Sequence, residues 1–363
     1  MKEFQEIIEK ISKFQKGEKA VLATVVDVVG SGYRRPGARM LIDENGFGIG
    51  TVSGGCLEAD VLERAKKVLD SGEATVITYD TTKDENSVFG LSMGCRGIVR
   101  ILLEEIDSDN IFFNFLGDSF EARKPFTMAT VVTANDDSVN VGAKYFLQDP
   151  LITLKALKPQ IPGALRERLN SFSAEKGSKL ETFDFGEVFF ENIEPPLNLL
   201  LFGAGYDALP LVKFAKELGW RVTAIDHRAA FANAERLPQA DEIIVSASED
   251  LKDELFADGN SVAVLMTHNY ERDRNILRLL LNSNCRYVGA LGPKHRAEKL
   301  LNEINEPFTE SQLAKLHAPV GLDIGADSPE AIALAIVAEI QAVLSGREGG
   351  FLRKRQGSIY GRG

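Results

Sequence analysis

A continuous apolar run from Leu197 to Phe202 leads directly into the glycine-rich segment Gly203-Ala204-Gly205-Tyr206-Asp207-Ala208. An apolar run of this kind is typical of a strand in a parallel sheet that is covered on both faces. A helical pattern follows, and the next apolar run ends in Asp226, 23 residues after the first glycine. A Rossmann-like, doubly wound parallel sheet is predicted by these features together: the glycine turn, the strand before it, the helix after it and the acid at the end of the next strand.

The same motif predicts a nucleotide site. Gly203 and Gly205 would let the backbone approach a pyrophosphate, and Asp226 would bind a ribose hydroxyl. Asp207, however, places a carboxylate in the turn that would hold the pyrophosphate. NAD(P) binding is therefore left as an alternative.

His268 and Asp273 follow a later predicted strand, residues 262–267. They would lie at the carboxyl edge of the sheet, where folds of this kind bind their ligands. A histidine in this place is typical of a general acid or base, and equally of a loop residue with a structural hydrogen bond. Farther on, Ser328 and Pro329 predict a helix start with the serine as N-cap.

Two cysteines lie among glycines nearer the N-terminus, in Ser53-Gly54-Gly55-Cys56 and in Met93-Gly94-Cys95-Arg96-Gly97. Apolar residues recur at helical spacing after Cys56, which predicts that Cys56 lies in the first turn of a helix. Backbone N–H donors and the positive end of the helix dipole gather there, so the segment would bind an anion and the thiol would be a better nucleophile or ligand. Arg96 acts in the same direction on Cys95. Taken alone, each cysteine is more typical of a buried packing residue.

A basic segment, residues 30–39, lies between two predicted strands and carries Arg34, Arg35 and Arg39 among glycines. Guanidinium groups bind phosphate and planar oxyanions, and glycines let the backbone come close to them. The arginines are therefore predicted to clamp an anion, and a solvated hairpin loop is the alternative. Together with the two cysteines, this segment predicts one pocket in which both thiols contact an anionic guest.

A weak internal repeat is visible in the same region. The residues Ala23 to Val26 and Gly37 to Leu41 are echoed by Ala129 to Val132 and Gly142 to Phe146. The second copy has neither cysteine element and no arginine-rich loop, so the shared part is predicted to be scaffold to which these loops are added. Chance similarity between two β-rich stretches is the alternative.

The net charge, the cysteine count and the length of the apolar runs exclude several classes of function for this chain. The net charge of −11 argues against general binding to nucleic acid or to a membrane surface, because a protein that follows phosphates would be basic. The three cysteines include no CxxC pair, which speaks against a disulfide scaffold and a zinc site and fits a reducing cytoplasm. Residues 1–14 predict a surface helix rather than a signal peptide, and no apolar run is long enough for a membrane span.

The chain is predicted to form an N-terminal α+β domain over residues 1–194, a Rossmann-like domain over 197–345 and a basic tail over 346–363. Glu194-Pro195-Pro196 has the composition of a linker, and the pattern of apolar runs changes after it. The overall fold class is therefore α/β.

Several of these elements resemble the signatures of the XdhC/CoxI family, the xanthine dehydrogenase accessory factors. The matching elements are, in chain order, Gly32 with Arg35-Pro36-Gly37-Ala38-Arg39-Met40, then Gly50 to Glu58, Gly94-Cys95-Arg96-Gly97, Phe202 to Gly205, Ile225-Asp226 with Arg228, Met266 to Tyr270 with Asp273, Gly289 to Pro293, and Gly321 to Glu330. The chain departs from the usual pattern at Tyr206-Asp207, where the family commonly has His-Val, and at Arg96, where it often has glycine or asparagine.

The resemblance implies a factor that binds the molybdenum cofactor (molybdopterin), supports its sulfuration and delivers it to a xanthine dehydrogenase-type molybdenum hydroxylase. Cys56 and Cys95 would then be metal ligands or sulfur-handling thiols, in a chaperone rather than a catalyst. The implied partners are the molybdoenzyme, a cysteine desulfurase and a second copy of the chain in a homodimer. Two alternatives stay open: an NAD(P)-dependent oxidoreductase that uses His268 and Asp273, and a regulatory scaffold with a vestigial Rossmann site.

Overall fold

The structure is a computed structural model, and it describes residues 2–80, 82, 97–108, 111–137, 139–148, 154–156, 161–175, 177–247, 251 and 258–356. Contacts divide the chain into two compact units, one formed by Glu3–Pro195 and the other by Met1–Lys2 together with Pro196–Gly363. Within the described ranges, no helix has the length and apolar character that crossing a membrane requires.

The first half of the first unit is an antiparallel sheet with two helices. Its elements are α1 (Lys2–Ile11), β1 (Lys19–Gly30), β2 (Arg39–Asp43), β3 (Gly48–Gly50), α2 (Glu58–Ser71), β4 (Thr75–Asp80) and β5 (Gly97–Asp107). The strand order is β3-β2-β1-β5-β4. The long strand β1 therefore lies at the centre, and the basic segment connects it to its neighbour β2.

The second half repeats this architecture. Its elements are α3 (Ile111–Glu121), β6 (Phe126–Val131), β7 (Lys144–Gln148), β8 (Leu154–Ala156), α4 (Gly163–Phe172), β9 (Ser178–Phe183) and β10 (Gly186–Ile193). The strand order, β8-β7-β6-β10-β9, is the order of the first half with every strand replaced by its counterpart. The internal repeat that the sequence suggested is therefore present in the fold as a repeated sheet topology.

The two halves also share a detailed register. Thr24 pairs with Arg39 between β1 and β2, and Thr130 pairs with Lys144 between β6 and β7. Both halves contribute apolar side chains to one buried cluster, which includes Phe4, Leu22, Leu41, Phe112, Phe115, Phe126 and Phe146. Since neither half encloses this cluster alone, the two similar sheets form one compact unit with a shared core.

The second unit contains a parallel sheet with helices between its strands. Its described elements are β11 (Asn198–Phe202), α5 (Ala208–Glu217), β12 (Arg221–Asp226), β13 (Glu242–Val245), β14 (Ser261–Leu265), α6 (Tyr270–Leu281), β15 (Tyr287–Ala290), α7 (Lys294–Ile304), α8 (Glu310–Leu313), β16 (Leu316–His317), α9 (Pro329–Leu344) and a 3-10 turn at Leu352–Lys354. The strand order is β13-β12-β11-β14-β15-β16, and every pairing is parallel. This is the Rossmann order, with its switch point between β11 and β14.

Helices cover both faces of this sheet. Leu199 and Leu201 of β11 pack on the side of α5 and α9, whereas Leu200 and Phe202 pack on the side of α6 and α7. This explains why β11 reads as a continuous apolar run instead of an alternating one. The predicted cap of α9 is confirmed, since the Ser328 hydroxyl accepts a hydrogen bond from the N–H of Ala331 at 3.2 Å.

Candidate functional site

Cys56 lies in a short loop before α2. The helix begins at Glu58, so the prediction that Cys56 occupies its first turn is wrong by two residues. The reason is local: the Ser53 hydroxyl oxygen accepts hydrogen bonds from the N–H groups of Gly55, Cys56 and Leu57, at 3.2, 3.1 and 3.1 Å. Ser53 thus holds the loop in a compact turn outside the helix.

The Glu58 carboxylate fixes the other side of this loop. It accepts hydrogen bonds from the Ser53 N–H at 2.8 Å, from the Leu57 N–H at 3.2 Å and from the Ser53 hydroxyl. Burial raises the pKa of Glu58, but these hydrogen bonds outweigh it, so the pKa lies below its ordinary value. The donors that we expected to face an anion are therefore engaged by Ser53 and Glu58. Sequence reasoning missed this role of Glu58, because Glu58 follows Ser53 by five residues and not by the three residues of a capping box.

The Cys56 side chain is exposed, unlike Cys285, which is buried. Its neighbour Gly55 has a φ of +103°, and no atom lies within 4 Å of the position that a Cβ would occupy there. The loop therefore presents the thiol to solvent at an open turn. This placement excludes the alternative that Cys56 is a buried packing residue.

The basic segment lies directly against the cysteine loop. A Cβ at Gly54 would come within 3.2 to 3.5 Å of the Tyr33 ring, so the tyrosine packs over the glycine backbone. Tyr33 itself is 62% exposed. The structure thus brings together two of the elements that the sequence singled out, one from the β1–β2 connection and one from the start of α2.

The three arginines of the segment differ in their surroundings. Arg34 is partly buried and pairs with Glu3 of α1, and Arg35 is exposed. The assignment of Arg39 to an anion clamp is wrong, because its side chain is only 7% exposed and pairs with Glu191 of β10. Burial and the partner carboxylate leave it no surface for an exposed guest.

The repeat explains the placement of Arg39. Its counterpart, Lys144, is also buried and pairs with Glu104 of β5, so each half supplies a cation for a glutamate of the other half. Each cation also lies over an aromatic ring, at 4.5 Å from the Phe4 centroid for Arg39 and 5.4 Å from the Phe112 centroid for Lys144. Arg39 therefore belongs to the duplicated scaffold.

The second predicted thiol, Cys95, lies outside the described residues, as does Arg96. The described chain resumes at Gly97, whose partner in the β1–β5 ladder is Gly30. A Cβ at Gly97 would lie 2.6 Å from the carbonyl oxygen of Ser31. The start of β5 thus packs against the start of the basic segment.

In the second unit, the glycine turn is shaped by close backbone contacts. Gly203 has a φ of +108°, and a Cβ there would lie 2.3 Å from the carbonyl oxygen of Met266. Asp207 is hydrogen-bonded to His268, with 2.7 Å between the Asp207 Oδ2 and His268 Nε2 atoms. The other oxygen of this carboxylate, Oδ1, lies 2.7 Å from the position that a Cβ would occupy at Gly205. The carboxylate and the imidazole thus pair next to the turn in which a pyrophosphate was expected.

Asp226 is held by donors of its own unit. Its Oδ2 accepts hydrogen bonds from the Ala204 N–H at 2.8 Å and from the Arg228 Nη2 at 2.7 Å, while its Oδ1 accepts from the Arg228 N–H and Nε, both at 2.9 Å. The side chain is only 1% exposed. A ribose hydroxyl would have to displace these donors, so the residues as arranged do not fit the nucleotide site expected from the motif.

The pH dependence of stability tests this arrangement. Burial raises the pKa of Asp226, but the hydrogen bonds from Arg228 and Ala204 outweigh it and lower the pKa from 3.8 to about 2. Because the folded pKa is depressed, the stabilisation is complete above about pH 4 and is lost as the pH falls toward 2. Urea unfolding of the protein and of Asp226→Asn between pH 2 and 7 should show a difference in unfolding free energy that shrinks below pH 4. A difference that is constant over this range would contradict the assignment.

Asp273 is buried beside the start of α6. Its Oδ1 accepts a hydrogen bond from the Thr267 hydroxyl at 2.6 Å, and its Oδ2 lies 2.8 Å from the Arg296 Nη2. Burial raises the pKa of Asp273, and the Thr267 hydroxyl and the Arg296 charge offset this only in part. Among the described hydrogen bonds, none joins Asp273 to His268, so the two residues do not form a paired acid and base.

The loop before α9 is also used internally. The Gly321 N–H donates to the Glu339 Oε2 at 3.0 Å, and the Leu322 N–H donates to the Ala335 carbonyl at 3.2 Å. These two hydrogen bonds hold the loop on α9.

Comparison with known proteins identifies related sequences and a related structure. The sequence model of the XdhC and CoxI family matches residues 14–80, and that of the XdhC Rossmann domain matches residues 199–340. A probable xanthine dehydrogenase subunit from Bacillus subtilis (strain 168) is 32% identical over 327 residues, which cover 89% of this chain and 92% of that protein.

Two further relatives support the same grouping. The molybdenum cofactor insertion chaperone PaoD of Escherichia coli (strain K12) is 23% identical over 334 residues, covering 92% of this chain and 86% of that protein. A crystal structure described as a xanthine dehydrogenase from Bacillus halodurans superposes with a TM-score of 0.78 at 30% identity, and the match covers 94% of this chain and 96% of that one.

Proposed function

Because the chain belongs to the XdhC and CoxI family, we propose that it binds the molybdenum cofactor and delivers it, after sulfuration, to a xanthine dehydrogenase-type molybdoenzyme. The observation that carries this proposal is the exposed Cys56, held in a fixed loop against the basic segment. PaoD, a molybdenum cofactor insertion chaperone, is similar over most of its length, which supports the same cargo here.

The chemistry of the loop suits this cargo. Molybdenum in the cofactor is a soft, thiol-seeking centre, and a thiolate is the side chain that best binds such a metal. The cofactor also carries a phosphate, for which a guanidinium is a good partner. Arg35, which is exposed, and Arg34, which is partly exposed beside its partner Glu3, would serve this purpose, whereas Arg39 would not, because it is buried against Glu191.

Cys95 would supply the second thiol. It precedes Gly97 by two residues, and Gly97 lies against Ser31 of the basic segment. Under this proposal both cysteines contact one guest, and sulfur from a cysteine desulfurase reaches the molybdenum while the cofactor is bound. Delivery then takes place from a homodimer to the client molybdoenzyme.

Cofactor loading of purified variants tests the proposal. The full chain is incubated with molybdenum cofactor under anaerobic conditions, separated by gel filtration, and analysed for protein-bound molybdenum over a concentration series. We expect Cys56→Ala and Cys95→Ala each to weaken binding at least tenfold, since each removes a direct metal ligand. Cys285→Ala is the matched control, because this cysteine is buried in the core of the second unit and should not affect loading.

The result that would overturn the proposal is equal loading of the wild-type protein and both thiol variants. Circular dichroism of each variant establishes that the fold is retained. The oxidoreductase alternative predicts instead that NAD or NADP raises the melting temperature of the wild-type protein. It has less support, since Asp226 is engaged by Ala204 and Arg228 and His268 is engaged by Asp207. If neither ligand binds, the regulatory scaffold is favoured.

A further inference from the structure

We propose that Arg236 forms a phosphate-binding site in the second unit, beside the carboxyl end of β12. Arg236 lies in the connection from β12 to β13, outside every motif that the sequence singled out. This site lies wholly within the second unit and does not depend on the proposed cofactor site at Cys56.

The guanidinium of Arg236 is enclosed by aromatic rings. Its central carbon lies 4.8 Å from the centroid of the Tyr206 ring and 4.9 Å from the centroid of the Phe231 ring. Contacts with ring faces stabilise the cation, but they leave the N–H groups at its edge without acceptors. Tyr206 belongs to the glycine turn, so the arginine lies next to the segment that binds phosphates in folds of this class.

One edge of this guanidinium is buried and unsatisfied. The Nε and Nη2 atoms of Arg236 are inaccessible to solvent and have no hydrogen-bond partner. These two N–H groups point in parallel and form the fork that binds two oxygens of one anion. Burying charged donors without a partner is unfavourable, because they lose water and gain nothing in exchange. The fork is therefore arranged for an acceptor that comes from outside the chain.

The neighbouring arginine provides a contrast. Arg228 stacks on the same Phe231 ring, at 3.9 Å from its centroid, but its charge is neutralised by Asp226. Arg236 has no ion pair among the residues that the structure describes. A guest with one phosphate would supply the missing negative charge and accept both hydrogen bonds.

Access to the fork requires one side chain to move. Tyr206 is 74% exposed and lies over one face of the guanidinium, so rotation of its ring into solvent would open the space beside the fork. The chemical class that fits is a phosphate monoester, carried either by a nucleotide or by a phosphorylated pterin. A phosphate monoester does not need to bind through a pyrophosphate. Asp207 and Asp226 can therefore keep the hydrogen bonds that they make in the structure.

Isothermal titration of the full-length protein tests the site. The probes are inorganic phosphate, adenosine 2′-monophosphate and molybdopterin, with adenosine as the probe that lacks phosphate. We expect the wild-type protein to bind phosphate-bearing probes and Arg236→Lys to bind them at least tenfold more weakly, since lysine keeps the charge but lacks the fork. Arg221→Lys is the control, because this exposed arginine lies on β12 and pairs with Glu242 at 3.1 Å; it should bind like the wild type.

The outcomes distinguish a nucleotide from a phosphorylated pterin as the source of the phosphate, and they can also refute the site. Tighter binding of the adenosine phosphate supports a nucleotide, and tighter binding of molybdopterin that depends on Arg236 but not on Cys56 supports a phosphorylated pterin. Equal binding by the wild type and Arg236→Lys, or no binding of any phosphate probe, overturns the site. Urea unfolding is measured in parallel. If Arg236→Lys unfolds at a much lower urea concentration, the guanidinium is structural and the proposal fails.

Discussion

Replacing Glu191 with alanine should lower the free energy of unfolding of the first unit by about 3–5 kcal/mol, because it leaves the buried guanidinium of Arg39 without its counter-charge. The two side chains are 7% and 5% exposed, so water cannot replace the lost carboxylate. One further donor of Arg39, the Nε, already lacks a partner. Urea unfolding followed by circular dichroism measures the change, with the transition of the first unit fitted separately from that of the second.

The repeat supplies matched variants for this experiment. Glu104→Ala removes the partner of Lys144 and should have an effect of similar size, because that pair is buried in the same way. Glu105→Ala, one residue farther along β5, breaks a pair in which the Lys19 side chain is 45% exposed, so water can solvate the remaining charge and the effect should be smaller. The double variant Arg39→Met/Glu191→Leu should recover most of the stability, since apolar side chains of similar volume replace the charges. Equal losses in Glu105→Ala and Glu191→Ala would contradict the assigned role of the buried pairs.

These ion pairs show why the sequence predicted only part of the first unit. The repeat was visible because Gly37 to Leu41 and Gly142 to Phe146 follow the same local pattern, and that comparison already aligned Arg39 with Lys144. Glu191, the partner of Arg39, is however 152 residues away from it in the chain. Local pattern reveals which positions are equivalent, but a pairing between distant strands depends on the packing of the two sheets. The arginines were therefore grouped by proximity in sequence, and the structure divides them.

The Rossmann-like unit was predictable because its signals are local. A covered parallel strand, a glycine turn and a helix follow one another within about twenty residues, and Ser328 caps the helix that follows it directly. The fine geometry of the sites was less predictable. The start of α2 was misplaced by two residues because the Ser53 hydroxyl takes three backbone donors, and Asp226 turned out to be occupied by Ala204 and Arg228. Both outcomes depend on side-chain hydrogen bonds, which periodicity does not reveal.

Gly203→Ala should destabilise the second unit by about 3 kcal/mol, even when no nucleotide is present. Gly203 adopts a φ of +108°, which is unfavourable for alanine. The added methyl group would also lie 2.3 Å from the Met266 carbonyl oxygen, at the end of the neighbouring strand β14. Because the contact is with backbone, it is relieved only if the turn and the strand end move apart. Urea unfolding monitored by the fluorescence of Trp220, which is buried in this unit, measures the loss.

Gly259→Ala is the matched control for this variant. A Cβ at Gly259 has no atom within 4 Å, and the residue has no left-handed φ, so the substitution should change the unfolding free energy by less than about 0.5 kcal/mol. A similarly small change for Gly203→Ala would mean that the turn accommodates a side chain, and its glycine would then need a ligand to explain it. A large loss, in contrast, shows that the positive φ and the close packing between β11 and β14 require glycine here without any ligand. The glycine motif is then evidence for the fold, and nucleotide binding has to be established by direct titration.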